Sequence, residues 1–259
     1  MAESRIDKFL ADRTPHSRSE IKILLRNGAV RADGIVVTDP KCKINPDQQE
    51  ITLNGKKIHG GENFYLILNK PENYICSTED RQHKTVLELI PEELRHKDMF
   101  PAGRLDIDST GLVLMTTDGM FAHQMLSPRH HVPKYYLVRL AKPVRKEIFS
   151  LFAEGITLSD GLQCLPAQVQ ALEKNYCLIC LHEGKYHQVK RMFAAVGNHV
   201  EHLHRVAMGG LLLPSNLPSG SCLEIFNKEI SELLKPKAFP EMCEQIVTDF
   251  SSYLINERQ

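Results

Sequence analysis

The sequence predicts an α+β protein in which a small N-terminal unit precedes a larger unit with a mixed, mainly antiparallel sheet. Residues 1–58 combine two amphipathic helical patterns with short strands, and a polar, glycine-rich connector, HGGEN, follows. Beyond the connector, segments typical of strands outnumber helical segments and many are consecutive, which favours antiparallel pairing. We expect a linker at 59–62, a second domain at 63–234 and a C-terminal extension at 235–259.

The N-terminal unit is predicted to begin with two helices and a hairpin. The apolar residues of the first helix recur at helical spacing: Ile6, Phe9 and Leu10. Ser17 and Glu20 have the spacing of a capping box at the start of the second helix, and Gly28 is a typical helix stop. Asp33-Gly34 lies between two β-rich pieces, which is a strong hairpin signal.

The larger unit is predicted to alternate strands with three helices. Strands are expected at 64–71, 111–119, 134–140, 168–173, 176–184 and 199–210. Helices are expected at 120–126, 143–155 and 187–197, where glycine or Ser-Pro ends each pattern.

Composition is that of an ordinary soluble protein. The 259 residues include 32 basic and 32 acidic side chains, so any basic surface must be local. Residues 1–58 hold eleven Lys and Arg against eight Asp and Glu, a net charge of +3. No apolar run approaches the roughly 18 residues of a membrane span, so we expect a cytoplasmic protein with no membrane partner. Phosphate-loop, dinucleotide-binding, zinc-protease and serine-hydrolase signatures are lacking.

The Cys and His residues do not predict a metal site. Cys177 and Cys180 are three apart on a predicted strand, so their side chains point to opposite faces, and we expect buried thiols. His202 and His204 face one side of another strand, but no acidic or Cys partner has matching spacing. We interpret these two, and the pair His130-His131, as solvated or RNA-facing.

An unusual charge cluster stands before one predicted strand. In AGRLDIDSTGLVLMTTDG, Arg104, Asp106 and Asp108 fall within five positions. One interpretation is a plain turn, and spacing alone favours it. The other is a carboxylate at the mouth of a cleft, which acts as nucleophile or general base. That role requires a nearby cation and, for a base substrate, an aromatic wall; Lys190 and Tyr136 are candidates.

The N-terminal unit resembles an S4 RNA-binding domain. The segments RIDKFLA and SRSEIKILLRNGAVRADG carry the resemblance, which spans most of residues 3–53. It implies binding to structured RNA. The candidate RNA-binding residues are basic and lie on or near the two predicted helices: Arg5, Arg18, Lys22 and Arg26.

The charge cluster resembles the active-site motif of RNA pseudouridine synthases, in the RsuA branch that joins an S4 domain to the catalytic domain. Three further blocks agree: LNKP, SPRHHVPKYYLV and EGKYHQVKRMFAAVGNHV. The resemblance implies that Asp106 is catalytic, that Arg104 helps displace the target nucleotide and that Tyr136 stacks on the uracil. Lys190 matches a basic residue paired with the aspartate, where relatives commonly have Arg. Asp108 is then expected to be structural.

The resemblance also implies a reaction and a substrate. One uridine of small-subunit (16S) rRNA, uridine 516, is expected to become pseudouridine without cofactor or metal. The aspartate attacks C1′, attacks C6 or removes a sugar proton, and the sequence leaves these three routes open. The expected partner is rRNA in a partly assembled small subunit, and the expected protein is a monomer. The rival functions are modification of a large-subunit uridine and non-catalytic rRNA binding or assembly through the S4 unit.

Overall fold

The computed structural model describes residues 3–46, 48–58, 63–127, 132–173 and 175–251. The chain divides into two compact units, Met1–Phe64 with Ile90–Met99 and Tyr65–Leu89 with Phe100–Gln259. Helices and strands occur in both, so the predicted α+β class is confirmed. The predicted linker at 59–62 lies outside the described residues.

The first unit packs two helices against short strands. Its helices are α1 (Ile6–Ala11) and α2 (Arg18–Arg26), and a short 3-10 helix covers Glu92–Leu94. Its strands are β1 (Ser4–Arg5), β2 (Val30–Ala32), β3 (Ile35–Val36), β4 (Lys43–Ile44), β5 (Ile51–Leu53) and β6 (Lys56–Ile58). Four of these strands form an antiparallel sheet in the order β3-β2-β5-β6, and β1 pairs with β4.

The capping box, the hairpin turn and the apolar helix faces that the sequence predicts are all present in the first unit. Ser17 Oγ accepts a hydrogen bond from Glu20 N at 3.3 Å, and Ser17 N donates to Glu20 Oε2 at 2.7 Å, which is the capping box. The hairpin turns at Asp33 and Gly34, whose φ angles of 50° and 79° suit a two-residue turn of the primed type. The predicted apolar faces of α1 and α2 supply buried core residues: Ile6, Phe9, Leu10, Ile21 and Leu25.

The second unit is built on a large sheet. Its first strands are β7 (Tyr65–Lys70), β8 (Tyr74–Ile75), β9 (Lys84–Thr85), β10 (Phe100–Ala102), β11 (Thr110–Thr116) and β12 (Lys134–Leu140). They are followed by β13 (Gln168–Glu173), β14 (Tyr176–Leu181), β15 (Val200–Met208), β16 (Leu211–Leu212) and β17 (Cys222–Glu224). The helices are α3 (Gly119–Leu126), α4 (Glu147–Glu154), α5 (Gln188–Ala195), α6 (Asn227–Leu233) and α7 (Phe239–Asp249), with a 3-10 helix at Val86–Leu89.

The strand order in the sheet is β13-β14-β12-β15-β11-β7-β17. All of these neighbours are antiparallel except β11 and β15, so the predicted mixed, mainly antiparallel sheet is confirmed. The parallel pair meets at Gly111 and Arg205. Gly111 has a φ of +99°, and a Cβ there would lie 2.3 Å from the Arg205 carbonyl oxygen, so only glycine permits this approach.

Residues of α7 pack against one face of the sheet. One face holds Tyr135 and Leu137 in a core that also contains Met242 and Ile246 of α7. The sequence sets residues 235–259 apart as an extension, but α7 packs into this core and the rings of Tyr135 and Phe239 stack with centroids 6.4 Å apart. Side chains alternate along a strand, so Tyr136 faces the other side. Among the described residues, none of the helices is long and apolar enough to cross a membrane.

Candidate active site

Asp106 lies in the turn that connects β10 to β11. Its carbonyl oxygen accepts a hydrogen bond from Ser109 N at 3.1 Å, which closes the turn. The Lys70 ammonium, fully buried at the end of β7, donates to Ser109 O at 2.7 Å and to Ile107 O at 3.3 Å. Burial lowers the pKa of Lys70, and the carboxylates of Asp108 and Asp106 oppose that shift. A buried cation thus fastens the backbone that carries Asp106.

Two side chains from the start of α5 approach the Asp106 carboxylate. Lys190 Nζ lies 3.4 Å from Asp106 Oδ2, and His187 Nε2 lies 3.5 Å from Asp106 Oδ1. Lys190 also donates a short hydrogen bond to Asp108 Oδ1, and this pairing lowers the pKa of the Asp108 carboxyl against the opposing effect of its desolvation. Lys190 therefore bridges the two carboxylates of the cluster.

The Asp106 carboxylate is 27% exposed, which leaves it open to solvent. The Asp108 side chain is 63% exposed. Asp106 is thus only partly buried, although Lys190 and His187 contact it. A ligand that covers the turn would exclude the remaining water and strengthen the electrostatic contacts.

A second buried cation connects the turn to the sheet. Arg205 of β15 is 1% exposed, and its Nε donates to the carbonyl oxygen of Leu112 at 2.7 Å. Its Nη1 donates to the carbonyl oxygen of Arg104 at 3.4 Å, so it touches the chain on both sides of the Asp106 turn. The Arg104 side chain itself is exposed.

Tyr136 lies on β12, directly beside this arginine. It is 7% exposed, and its Cα is paired across the strands with Arg205 on one side and Ile179 on the other. Lys134 precedes it by two residues on the same face. Burial lowers the pKa of Lys134 to about 8, and the nearby Arg205 guanidinium adds to that shift. Tyr136 thus presents an aromatic ring on the face of the sheet that carries the buried cations.

The predicted RNA-binding residues of the first unit lie in two settings. Arg18, Lys22 and Arg26 are exposed along α2. Arg5 is held differently, since its Nη2 lies 2.6 Å from Asp7 Oδ2 and its Nε donates to Asp7 Oδ1 at 3.0 Å. The Arg5 hydrogen bond lowers the pKa of the nearly buried Asp7 carboxyl. The structure thus leaves α2 as the more available basic surface.

The candidate metal ligands do not converge among the described residues. Cys177 and Cys180 are both buried in β14, and burial raises the pKa of each thiol to about 12. His202 and His204 share one face of β15, as predicted. The expectation of solvated imidazoles is wrong for His204, which is 4% exposed because it packs beside Phe250 next to α7. Burial lowers the pKa of His204 to about 3. His130 and His131 lie outside the described residues.

Sequence reasoning missed three residues of this site: Lys70, His187 and Arg205. Lys70 follows the apolar run of β7 and Arg205 precedes the apolar residues 206–208 of β15, so the available signal was a charge directly beside a buried apolar run. His187 gave no comparable signal. Its place depends on a left-handed backbone, with φ 49° and ψ 34°, just before α5.

Taken together, the site offers a partly exposed carboxylate between Lys190 and His187, with an exposed arginine and a buried tyrosine on neighbouring elements. The Lys190 ammonium lies 3.4 Å from one carboxylate oxygen of Asp106, and His187 Nε2 lies 3.5 Å from the other. A carboxylate of this kind can act as a nucleophile or take a proton.

Comparison with known proteins finds two family matches and a similar solved structure. Residues 64–195 match the RNA pseudouridylate synthase family, and residues 4–50 match the S4 domain. A crystal structure of pseudouridylate synthase superposes with a TM-score of 0.63 at 37% identity, over 88% of this chain and 99% of that chain.

Two relatives span nearly the whole chain. An uncharacterized RNA pseudouridine synthase of Bacillus subtilis (strain 168) is 40% identical over 239 residues, which cover 90% of this chain and 100% of the relative. The ribosomal small subunit pseudouridine synthase A of Escherichia coli (strain K12) is 41% identical over 234 residues, which cover 89% and 100%. The chain therefore belongs to the RNA pseudouridylate synthase family, as an RsuA-like enzyme that carries an N-terminal S4 domain.

Proposed function

We propose that the enzyme converts one uridine of 16S rRNA, uridine 516, to pseudouridine, with Asp106 as the catalytic aspartate. The observation that carries the catalytic assignment is the Asp106 carboxylate, held 3.4 Å from Lys190 and 3.5 Å from His187 on a turn fastened by buried cations. The small-subunit assignment is supported by the name and the 41% identity of the Escherichia coli relative.

The reaction breaks the C1′–N1 bond, turns the uracil and joins C1′ to C5; C5 then loses its proton and N1 gains one, so the net change is an isomerisation. The target base must first leave its stack, which requires a few kcal/mol. Arg104, exposed beside the turn, fills the gap or holds phosphate, and Tyr136 replaces the lost stacking, worth roughly 1–3 kcal/mol per base. Asp106 then attacks C1′, attacks C6 or removes a sugar proton, and all three routes require its charged form.

Lys190, 3.4 Å from Asp106 Oδ2, is expected to orient the Asp106 carboxylate and to stabilise the charge that develops during the reaction. Replacing Lys190 with Met should lower the rate of pseudouridine formation by about a hundredfold, the size typical of losing one group that stabilises charge in an active site. Lys190→Arg keeps the charge and should retain most of the rate. Single-turnover assays on one RNA preparation check both variants; equal rates for Lys190→Met and the unaltered enzyme would remove Lys190 from the mechanism.

The S4 unit is proposed to hold the rRNA through α2. Replacing Arg18, Lys22 and Arg26 together with Gln should weaken RNA binding and flatten its salt dependence, with a slope reduced by about 2–3 if each side chain meets a phosphate. The same substitution at Lys41, Lys56 and Lys57, which are exposed in the same unit, is the matched control. The measurement is RNA affinity at several salt concentrations between low and moderate salt. An unchanged slope of log affinity against log salt for the α2 variant would contradict this RNA-binding surface.

We further propose that the enzyme works as a monomer in the cytoplasm on a partly assembled small subunit and requires neither metal nor cofactor. The target is tested by mapping pseudouridine in total rRNA from cells with and without the gene. Loss of a single site in 16S rRNA is expected. Loss of a site in large-subunit rRNA would replace the proposed target, and no loss anywhere would leave the S4 unit as a binding module without catalysis.

A further inference from the structure

Two stacked rings lie at the rim of the site, beside the catalytic carboxylate. The rings of Tyr186 and His187 have centroids 3.8 Å apart and are inclined by 18°. His187 is the inner ring, with Nε2 3.5 Å from Asp106 Oδ1. Tyr186 is 73% exposed, although an aromatic side chain of this size usually gains stability from burial. An exposed ring is thus presented one residue away from the contact to Asp106.

The backbone holds this pair in an unusual conformation. His187 has a φ of 49° and a ψ of 34°, in the left-handed region that residues other than glycine rarely adopt. Strain of this kind persists only where the surroundings impose it, and it concentrates at functional sites. Arg191 N donates to His187 O at 3.0 Å and Arg191 Nη1 donates to Tyr186 O at 3.4 Å, so α5 holds the backbone carbonyls of both residues.

The cations around the two rings are engaged with carboxylates. Lys185 pairs with Glu183, and Arg191 Nη2 lies 2.5 Å from Asp160 Oδ2. Lys190 pairs with Asp108. Because these charges are compensated, the feature offered to a ligand at this rim is the face of an aromatic ring. A ring face recognises another planar ring, and in an RNA substrate that ring is a base.

We propose that Tyr186 and His187 form a stacking platform for the base of a nucleotide next to the converted uridine. This inference rests on the proposed RNA substrate, but it does not depend on which rRNA is modified. When the target base leaves its stack, each neighbouring base loses a partner, and the outer face of Tyr186 replaces it. Tyr136, buried on β12, remains the partner of the extruded uracil, so the two tyrosines take different bases.

The test is a coupling measurement on RNA binding. The full-length enzyme with Asp106→Asn, which binds without converting, is titrated with a 16S rRNA fragment around uridine 516. The nucleotide on either side of the uridine is intact or lacks its base. Tyr186→Ala should weaken binding to the intact fragment by roughly tenfold, as expected for one stacked base, and Tyr186→Phe should not. In the chain that keeps Tyr186, removing the base on one side of the uridine should weaken binding by the same factor. In the Tyr186→Ala chain, removing that base should cause no further loss of binding.

The outcomes separate the platform from the proposed function. The platform is wrong if, for the base on either side, the loss caused by Tyr186→Ala and the loss caused by removing that base are independent and multiply. It is also wrong if Tyr186→Ala binds as tightly as Tyr186→Phe. Conversion of the intact fragment by the enzyme with Asp106 is measured in parallel and reports on the proposed function alone. If only a large-subunit uridine is converted, the same comparison is made on the fragment around that uridine, where the same coupling at one neighbour is expected.

Discussion

Replacing Asp106 with Asn is expected to abolish pseudouridine formation and to leave RNA binding nearly intact. Asn has the size and hydrogen-bonding capacity of Asp but lacks its charge, so it is a far poorer nucleophile and base. The turn itself should survive, because it is closed by the backbone of Asp106 and fastened by Lys70. The expected loss is about 10⁴-fold or more in single-turnover rate, the size seen when an essential catalytic side chain is removed.

Asp108→Asn is the matched control for this substitution. Asp108 stands two residues away, is 63% exposed and shares Lys190 with Asp106. Without its charge, Lys190 can turn wholly to Asp106, so the rate should fall by less than about tenfold, as for an exposed ion pair. Equal losses at the two positions would mean that the cluster is structural. Near-normal turnover of Asp106→Asn would mean that the turn does not carry the catalytic group.

Gly111→Ala is expected to have the second largest effect, on both stability and activity. The added Cβ would lie 2.3 Å from the Arg205 carbonyl oxygen and 2.8 Å from its nitrogen, where neither backbone group can move freely. The residue also keeps a φ of +99°, which alanine disfavours. Together these effects should lower the free energy of unfolding by about 3 kcal/mol. Because the displaced strand carries Arg205, the rate should fall even where the protein stays folded.

Gly161→Ala separates backbone strain from steric overlap. Gly161 has a φ of +84°, but a Cβ there would meet nothing within 4 Å. The free energy of unfolding of Gly161→Ala should therefore fall by only about 1 kcal/mol, because alanine disfavours the left-handed backbone, and the variant should keep its activity. Chemical denaturation with a single-turnover assay on the folded protein checks both variants. Similar behaviour of the two alanine variants would show that the β11–β15 approach does not position the site.

Local features of the fold were predictable from the sequence because their causes are local. The capping box at Ser17 and the turn at Asp33 depend on residues two or three apart, and both are present. The parallel pairing of β11 with β15 is different. It joins Gly111 to Arg205 across ninety-four positions, and no short-range pattern specifies which strands meet.

The candidate site also has residues that the sequence indicated and residues that it did not. The resemblance pointed to Asp106 and Lys190, and the structure brings their side chains within 3.4 Å. Arg205 and Lys70 were missed because their roles depend on hydrogen bonds to backbone carbonyls of distant residues, which a charge beside an apolar run does not specify. His187 was missed because its approach to Asp106 requires a left-handed backbone that histidine rarely adopts.

The most direct test of the central claim is conversion by the purified enzyme. Partly assembled small-subunit particles from cells that lack the gene are incubated with the enzyme in the presence of a strong chelator, and pseudouridine is mapped along the rRNA. We expect one new pseudouridine in 16S rRNA, at uridine 516, and none with the Asp106→Asn enzyme. No new pseudouridine with the unaltered enzyme, or the same yield from both proteins, would contradict the account.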